Sequence, residues 1–181
     1  TYLAITVDRQ ADFNSSFTRW VSQGEFVANT FSRQALGMIW DYAEVNPFSG
    51  STGDWSGALD WITRVIKHAA DAADRPVIAS QGTATRLDYP DGCFDTVVTH
   101  PPYYDSVPYS HLADFFYVWL KRSVGKLYPK LFRTPLTPKG SEIVQDRPHS
   151  LSPSTKDATF YEKKMTEAFV ESQRVLRSDG I

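Results

Sequence analysis

A short loop near the middle of the chain, Thr99-His100-Pro101-Pro102-Tyr103, combines hydrogen-bond acceptors with an aromatic ring. The two prolines fix φ and lack an N–H, so nearby carbonyl oxygens are open to donors on a ligand. A neutral imidazole at His100 accepts one hydrogen bond, and Tyr103 offers a flat stacking face. These residue types are suited to binding a ligand.

The loop follows a predicted strand. Residues 94–99 are β-branched and apolar enough to lie inside a sheet covered on both faces. Residues 76–80 form another short apolar run of strand length. Ligands of open α/β sheets bind beyond the carboxyl ends of strands, so the position of the loop also favours a ligand site.

Helices are predicted on both sides of these strands. Asp54 can cap a helix that ends near residues 71–74, and Asp157 can open a last helix. Ser110 can cap a further helix, which Gly125 closes. Residues 1 to about 20 also favour a helix, whereas residues 20–45 are apolar without a clean period.

The end of the last helix completes the predicted alternation. Gly180 stands where a C-cap belongs, and Ile181 would begin another strand. Alternating strands and helices predict an α/β doubly wound sheet. Five prolines within residues 128–156 predict a long excursion instead of a core element.

Composition bounds the class of protein. A chain of 181 residues with 41% hydrophobic content can bury one sizeable core, so one compact domain is expected. Its 19 basic and 21 acidic residues give no global attraction for nucleic acid, so such a surface must be local. With a lone Cys93 we expect no disulfide framework, and with four scattered histidines we expect no metal site. We also expect no membrane span, because no apolar run is long enough. A reducing cytoplasm suits this composition.

The loop resembles the catalytic motif of S-adenosylmethionine-dependent amino-methyltransferases, in which Asp, Asn or Ser precedes Pro-Pro-Tyr directly after a strand. The wider chain resembles the large adenine-specific DNA methylases that contain a zinc ribbon. The resemblance covers nearly the whole chain and includes residues 29–35, 46–48, 95–99, 103–109, 114–121, 134–139 and 174–177.

The resemblance implies a Rossmann-like methyltransferase sheet and a role for each loop residue. The side chain at His100 and the Pro101 carbonyl would accept hydrogen bonds from the target amine, beside Pro102, and Tyr103 would stack on a base flipped from DNA. The cofactor would be S-adenosylmethionine. Residues Gly82, Thr83 and Ala84 lie where such enzymes contact its adenine, and a plain turn is the alternative there.

Two departures from the family pattern stand out. The family carries Asp where this chain has His100, and an imidazole cannot supply the charge of a carboxylate. The glycine-rich cofactor loop is also missing. Residues 48–53 resemble it only superficially. Only one helix and two strands are predicted between them and His100, which are too few to include the strand with an acidic ribose ligand and its helix. We therefore expect the true loop upstream of Thr1 and interpret the chain as a partial domain.

The predicted function is DNA adenine amino-methylation, in a setting of restriction or phage defence that the resemblance implies. Tyr104, Lys121 and Arg122 are candidate nucleic-acid contacts, although a solvated helix end also explains the two cations. The excursion at 128–156 is a candidate for target recognition. The alternatives are methylation of RNA or of a protein amide, and a catalytically silent nucleic-acid-binding module.

Overall fold

The computed structural model describes residues 1–72, 75, 78–105, 107–145 and 156–181. The chain divides into two compact units, each built from two stretches of sequence. Unit 1 comprises Thr1–Val77 and Tyr109–Lys139, and unit 2 comprises Ile78–Pro108 and Gly140–Ile181. The elements along the described chain are α1 (Tyr2–Phe13), β1 (Arg19–Val21), β2 (Phe26–Ala28), α2 (Trp55–Asp71), α3 (Tyr109–Val124) and α4 (Ala158–Val175).

In unit 1, α1 packs against both α2 and α3. Small side chains make this close approach possible, since Ala4 of α1 and Ala58 of α2 are buried. The region without a clean period contains an antiparallel hairpin, in which Trp20 of β1 lies opposite Val27 of β2. The turn between the strands places Glu25 at a φ of 51°, in the left-handed region.

Local capping chemistry fixes where α2 and α4 begin, as predicted. The Asp54 carboxylate accepts a hydrogen bond from the backbone N–H of Gly57 at 2.8 Å. Asp157 accepts one from Phe160 N–H at 2.8 Å. These bonds satisfy N–H groups that have no partner inside the first turn of a helix.

Two predicted caps were wrong in position. The helix α3 begins at Tyr109, so Ser110 lies inside the helix, where it is buried. The C-cap of α4 is Leu176, in extended backbone, because the chain leaves the helix to pair with residues near 94. Gly180 instead closes a turn by donating its N–H to Arg177 O at 3.0 Å. Gly125 does close α3, through a bond to Lys121 O at 3.0 Å.

Unit 2 contains a parallel backbone pairing between residues 94–97 and 175–181. Phe94 forms a parallel bridge with Leu176, donating its N–H to Val175 O and accepting from Arg177 N–H, both at 2.9 Å. Further along, Ile181 N–H donates to Asp95 O at 3.0 Å. Ile181 thus lies beside this segment in irregular backbone, and the start of a strand there stays a prediction.

The prediction of a strand buried on both faces at residues 94–99 was wrong. Val98 is 89% exposed, and in the described chain the segment has backbone partners on one side only. The Phe94 ring packs against Tyr89, and Val97 is only partly buried. Of the predicted strand at residues 76–80, residues 76 and 77 lie outside the described residues. Ile78 is 91% exposed and lies in irregular backbone.

The described part of the 128–156 excursion, residues 128–145 and 156, consists of turns and irregular backbone, as its prolines predict. Part of it is anchored to α3. Tyr117 Oη donates to Thr134 O at 2.9 Å, and Asp114 Oδ1 accepts from Thr137 N–H at 2.9 Å. None of the helices in the described chain has the combined length and apolar character that crossing a bilayer requires.

Candidate functional site

The loop at residues 99–103 lies in unit 2, immediately after the segment that pairs in parallel with 175–181. It brings the rings of His100 and Tyr103 together, with centroids 5.9 Å apart and planes at 81°. Both side chains are exposed, and Tyr103 is 56% exposed. The structure therefore presents the acceptor ring and the stacking ring side by side at the surface.

The two prolines between these rings differ in their hydrogen bonding. The Pro102 carbonyl accepts a hydrogen bond from Tyr161 Oη of α4 at 2.7 Å. Among the described residues, no donor bonds the Pro101 carbonyl or the imidazole of His100. The His100 imidazole and the Pro101 carbonyl, which were assigned to a target amine, are therefore both available to accept hydrogen bonds from a ligand.

Two tyrosines pack together beside the loop, Tyr104 directly after it and Tyr161 in α4. The rings of Tyr104 and Tyr161 lie 4.6 Å apart, and Tyr104 Oη donates to Glu162 Oε1 at 3.1 Å. Burial and the neighbouring Glu162 carboxylate together raise the pKa of Tyr104. The Tyr104 carbonyl also accepts from Gln145 N–H at 2.9 Å. These contacts make Tyr104 a support of the loop, and its role toward nucleic acid stays a prediction.

Tyr161 and Glu162 were missed as site residues by sequence reasoning. The spacing of α4 places Tyr161 on the same side as the buried residues Met165 and Ala168, which indicates packing only. The capping residue Asp157 fixes where the helix begins, and hence the register that brings Tyr161 to the loop. No local pattern predicts a bond that spans 59 positions in sequence.

The chain ahead of the loop is held to α4 by Arg174. Its guanidinium donates to the carbonyls of Leu87 and Tyr89, each at 2.9 Å, and to the Asp91 carboxylate at 2.5 Å. Glu171 accepts from Arg174 and also from Leu87 N–H at 2.7 Å. The bonds from Arg174, followed by the one from Leu87, lower the pKa of Glu171 to about 2. An ionised pair therefore fixes the path of residues 87–91.

The residues assigned to the cofactor, Gly82, Thr83 and Ala84, belong to an exposed turn in unit 2. Thr83 forms an antiparallel bridge with Arg86, and its hydroxyl lies 3.0 Å from the Thr85 hydroxyl. This is the geometry that the plain-turn interpretation describes. Contact with the cofactor stays a prediction.

The two candidate cations lie near the end of α3, in unit 1. Lys121 Nζ donates to Thr134 O at 2.5 Å and lies 5.9 Å from the centroid of the Tyr117 ring. The guanidinium of Arg122 lies 5.6 Å from the Trp119 ring centroid. Both contacts are local to the helix end, and a role in phosphate binding stays a prediction.

The glycine-bearing run at residues 48–53 has the geometry of a capped turn. Gly50 and Gly53 adopt φ angles of 74° and 89°, which suit glycine. The buried Asp54 carboxylate then caps the first turn of α2. The interpretation that this run is not the cofactor loop stays a prediction.

Across the described ranges, no three His, Cys, Asp or Glu side chains converge as a metal ion would require.

Comparison with family models, curated proteins and solved structures finds no match for this chain.

Proposed function

We propose that this chain carries the target-binding loop of an S-adenosylmethionine-dependent DNA adenine methyltransferase, on part of a Rossmann-like sheet. One observation carries the proposal. The exposed rings of His100 and Tyr103 flank a Pro101 carbonyl that accepts no bond from the described residues, directly after a segment paired in parallel with the chain leaving α4. A ligand site beyond the carboxyl end of such a segment is the rule for α/β sheets.

The loop can orient an amine for methylation. The two N–H groups of the target amine donate to the His100 imidazole and to the Pro101 carbonyl, which leaves the nitrogen lone pair pointing away from both. When bound, S-adenosylmethionine would supply the methyl group from its sulfonium and would leave as S-adenosylhomocysteine. The amine nitrogen held by the loop would give up one proton to water.

DNA adenine is the proposed target because the resemblance of the wider chain implies it, and acceptors beside a stacking ring suit a base that carries an amino group. Tyr103, at 56% exposure, has room to lie against a base that has left the duplex. The turn at residues 82–84 exposes backbone groups and the Thr83 hydroxyl, which suit hydrogen bonding to the adenine of the cofactor.

A second function is favoured by His100 itself. A neutral imidazole supplies no negative charge to stabilise the positive charge that develops on the attacking amine, and a protonated one has no acceptor left. This residue favours a catalytically silent module that binds nucleic acid through the same loop.

Labelled methyl transfer separates these functions. The protein expressed from its complete gene is incubated with tritiated S-adenosylmethionine and with unmethylated duplex DNA, RNA or a glutamine-containing peptide. We expect label in DNA adenine, and at least about a tenfold loss for Tyr103→Ala, which removes the stacking ring. Tyr2→Ala is the matched control, since Tyr2 is exposed to 59% and lies in α1.

Other distributions of label contradict the proposal in distinct ways. Label in RNA or in the peptide alone identifies a different amine as the target. If no substrate is labelled but the protein binds DNA, and Tyr103→Ala weakens that binding, the chain is the silent module. Label in DNA that is equally strong in Tyr103→Ala rejects the loop as the target site.

A further inference from the structure

The run at residues 29–34 follows β2 in unit 1 and is fixed to the end of α1. Thr30 N–H donates to the Asp12 carbonyl at 2.8 Å, and Thr30 Oγ1 donates to the same carbonyl at 2.7 Å. Thr30 N–H also reaches Asp12 Oδ1 at 3.1 Å, and Ser15 Oγ lies 2.6 Å from Thr30 Oγ1. Thr30 is only 5% exposed. The residues beside it therefore have a defined position.

Next to this anchor, Phe31 and Phe116 line an open cleft, and the ring of Phe115 packs against both of them. The Phe31 centroid lies 5.4 Å from Phe115 and 5.6 Å from Phe116, and the last two rings are 5.1 Å apart. All three residues are only partly buried. The cleft has a volume of about 470 Å³, which lies within the range of small-molecule sites.

The apolar residues Leu112 and Ala113 also line the cleft, and its remaining lining residues are polar. They are the Asp12 carboxylate, the amides of Asn29 and Gln34, and the Arg33 guanidinium. Asn29 Nδ2 donates to Phe31 O at 3.3 Å, which orients that amide. Among the described residues, the side chains of Arg33 and Gln34 have no hydrogen-bond partner. Arg33 and Gln34 thus offer hydrogen-bonding groups that the described fold does not use, whereas the Asp12 carboxylate already accepts bonds from Asn29, Thr30 and Phe31.

We infer that this cleft binds a nucleobase from single-stranded or unpaired nucleic acid. Bases in such strands stack on aromatic side chains and expose their hydrogen-bonding edges to neighbouring groups. A glutamine amide such as that of Gln34 pairs with the edge of adenine, donating to N7 and accepting from the exocyclic amino group. Arg33 then meets the phosphate or the face of an adjacent base. A base with an amino group, such as adenine, fits this rim better than thymine.

The polar rim is what favours a nucleobase over an apolar side chain of a protein partner. An apolar occupant would cover the Gln34 amide and the Arg33 guanidinium without offering them hydrogen bonds, which carries a desolvation cost. A base covers the same rings and also pairs with the rim. The inference goes beyond the proposed function because it requires no methyl transfer, and every residue involved belongs to unit 1.

Titration by NMR tests the site in the complete chain. Deoxyadenosine monophosphate, thymidine monophosphate and short single strands of each are added to the labelled protein. We expect shifts in residues 29–34 and 112–116, with the adenine ligands binding more tightly. Gln34→Glu replaces a donor amide with a carboxylate of the same shape, and should weaken adenylate binding about fivefold or more.

Control variants keep the test independent of folding. Gln23→Glu makes the same chemical change at an exposed position in the turn between β1 and β2, and should leave binding unchanged. Phe31→Leu removes a stacking ring and should weaken binding about tenfold. Should Phe31→Leu fail to fold, Arg33→Gln at the exposed rim should weaken single-strand binding more than mononucleotide binding.

Three results would overturn the inference. They are the absence of shifts in residues 29–34 at saturating ligand, equal losses in Gln34→Glu and Gln23→Glu, and tighter binding of phenylalanine amide than of adenylate. The proposed function fails separately, because Tyr103→Ala should leave this binding unchanged while it removes methyl transfer.

Discussion

Polar side chains serve opposite purposes in the α3 network of unit 1 and in the loop of unit 2. In unit 1, Asp114 accepts from Thr137 N–H at 2.9 Å, from Thr137 Oγ1 at 2.5 Å and from Lys139 Nζ at 2.7 Å. In unit 2, His100 and Tyr103 are exposed, and no described residue bonds the His100 imidazole.

The difference between these two regions indicates which polar groups the fold itself requires and which are available for function. The Asp114 carboxylate is saturated by donors that hold the chain after α3, so it is explained by the fold alone. The rings of the loop add little packing, and the fold does not explain them. Exposed polar and aromatic groups on a supported loop are where binding and catalysis concentrate.

The largest effect on stability is expected when the saturated carboxylate is removed. Asp114→Ala removes the acceptor of Thr137 N–H and the carboxylate partner of Lys139, and should lower the free energy of unfolding by about 2 kcal/mol. Asp60→Ala is the matched control, because Asp60 lies in α2 with a side chain that is 54% exposed. Denaturant titration of both variants should show a loss only for Asp114→Ala. An equal change in the two would contradict the structural role.

The same carboxylate predicts a dependence on pH. Burial raises the pKa of Asp114, but the hydrogen bonds from Lys139 and Thr137 outweigh it and lower that pKa overall. A lowered pKa stabilises the fold above the unfolded value near 4 and loses that stabilisation as pH falls through the folded value. The wild type should therefore lose more stability below about pH 4 than Asp114→Ala.

A smaller effect is expected where α4 supports the loop. Tyr161→Phe removes the hydroxyl that donates to Pro102 O, at a cost of about 1 kcal/mol. Tyr104→Phe is the comparison, since it removes the bond to Glu162 and keeps the Tyr161 bond. Hydrogen exchange should show faster opening of residues 103–105 in Tyr161→Phe than in Tyr104→Phe. Equal protection in the two would show that Tyr161 does not position the loop.

The smallest effect on stability is expected at the exposed ring of the loop. Tyr103→Ala should change the free energy of unfolding by less than about 0.5 kcal/mol, because the side chain is more than half exposed. Thermal unfolding of this variant beside Tyr2→Ala checks the expectation. A large loss of stability in Tyr103→Ala but not in Tyr2→Ala would show that the Tyr103 ring contributes to packing. The loop would then not differ from the Asp114 network in this respect.

Local sequence predicted the helices well because capping and periodicity act within a few residues. Asp54 and Asp157 identified the first turns of α2 and α4, and the structure confirms both bonds. Residues 19–28 escaped prediction because three-residue strands are too short to show a period. Residues 94–99 were predicted from composition, but burial of a strand depends on neighbours that local sequence does not specify.

The candidate site divides in the same way. His100 to Tyr103 were identified from residue type and order, and the structure places the two rings together. The Tyr161 bond and the Arg174 network join residues more than 50 positions apart, so only the tertiary fold reveals them. The assignments at residues 82–84, Lys121 and Arg122 depend on ligands and stay predictions.

The central claim is that the loop at residues 100–103 orients an amine for methylation. Its most direct test is the rate of methyl transfer to adenine-containing DNA by His100→Asp, beside the wild type and His68→Asp, in protein from the complete gene. A carboxylate at position 100 supplies the acceptor charge of the methyltransferase motif that the loop resembles, so His100→Asp should exceed the wild type by about tenfold or more, and His68→Asp should not. Absence of transfer to adenine by all three proteins, while each still binds the cofactor and DNA, would contradict the claim.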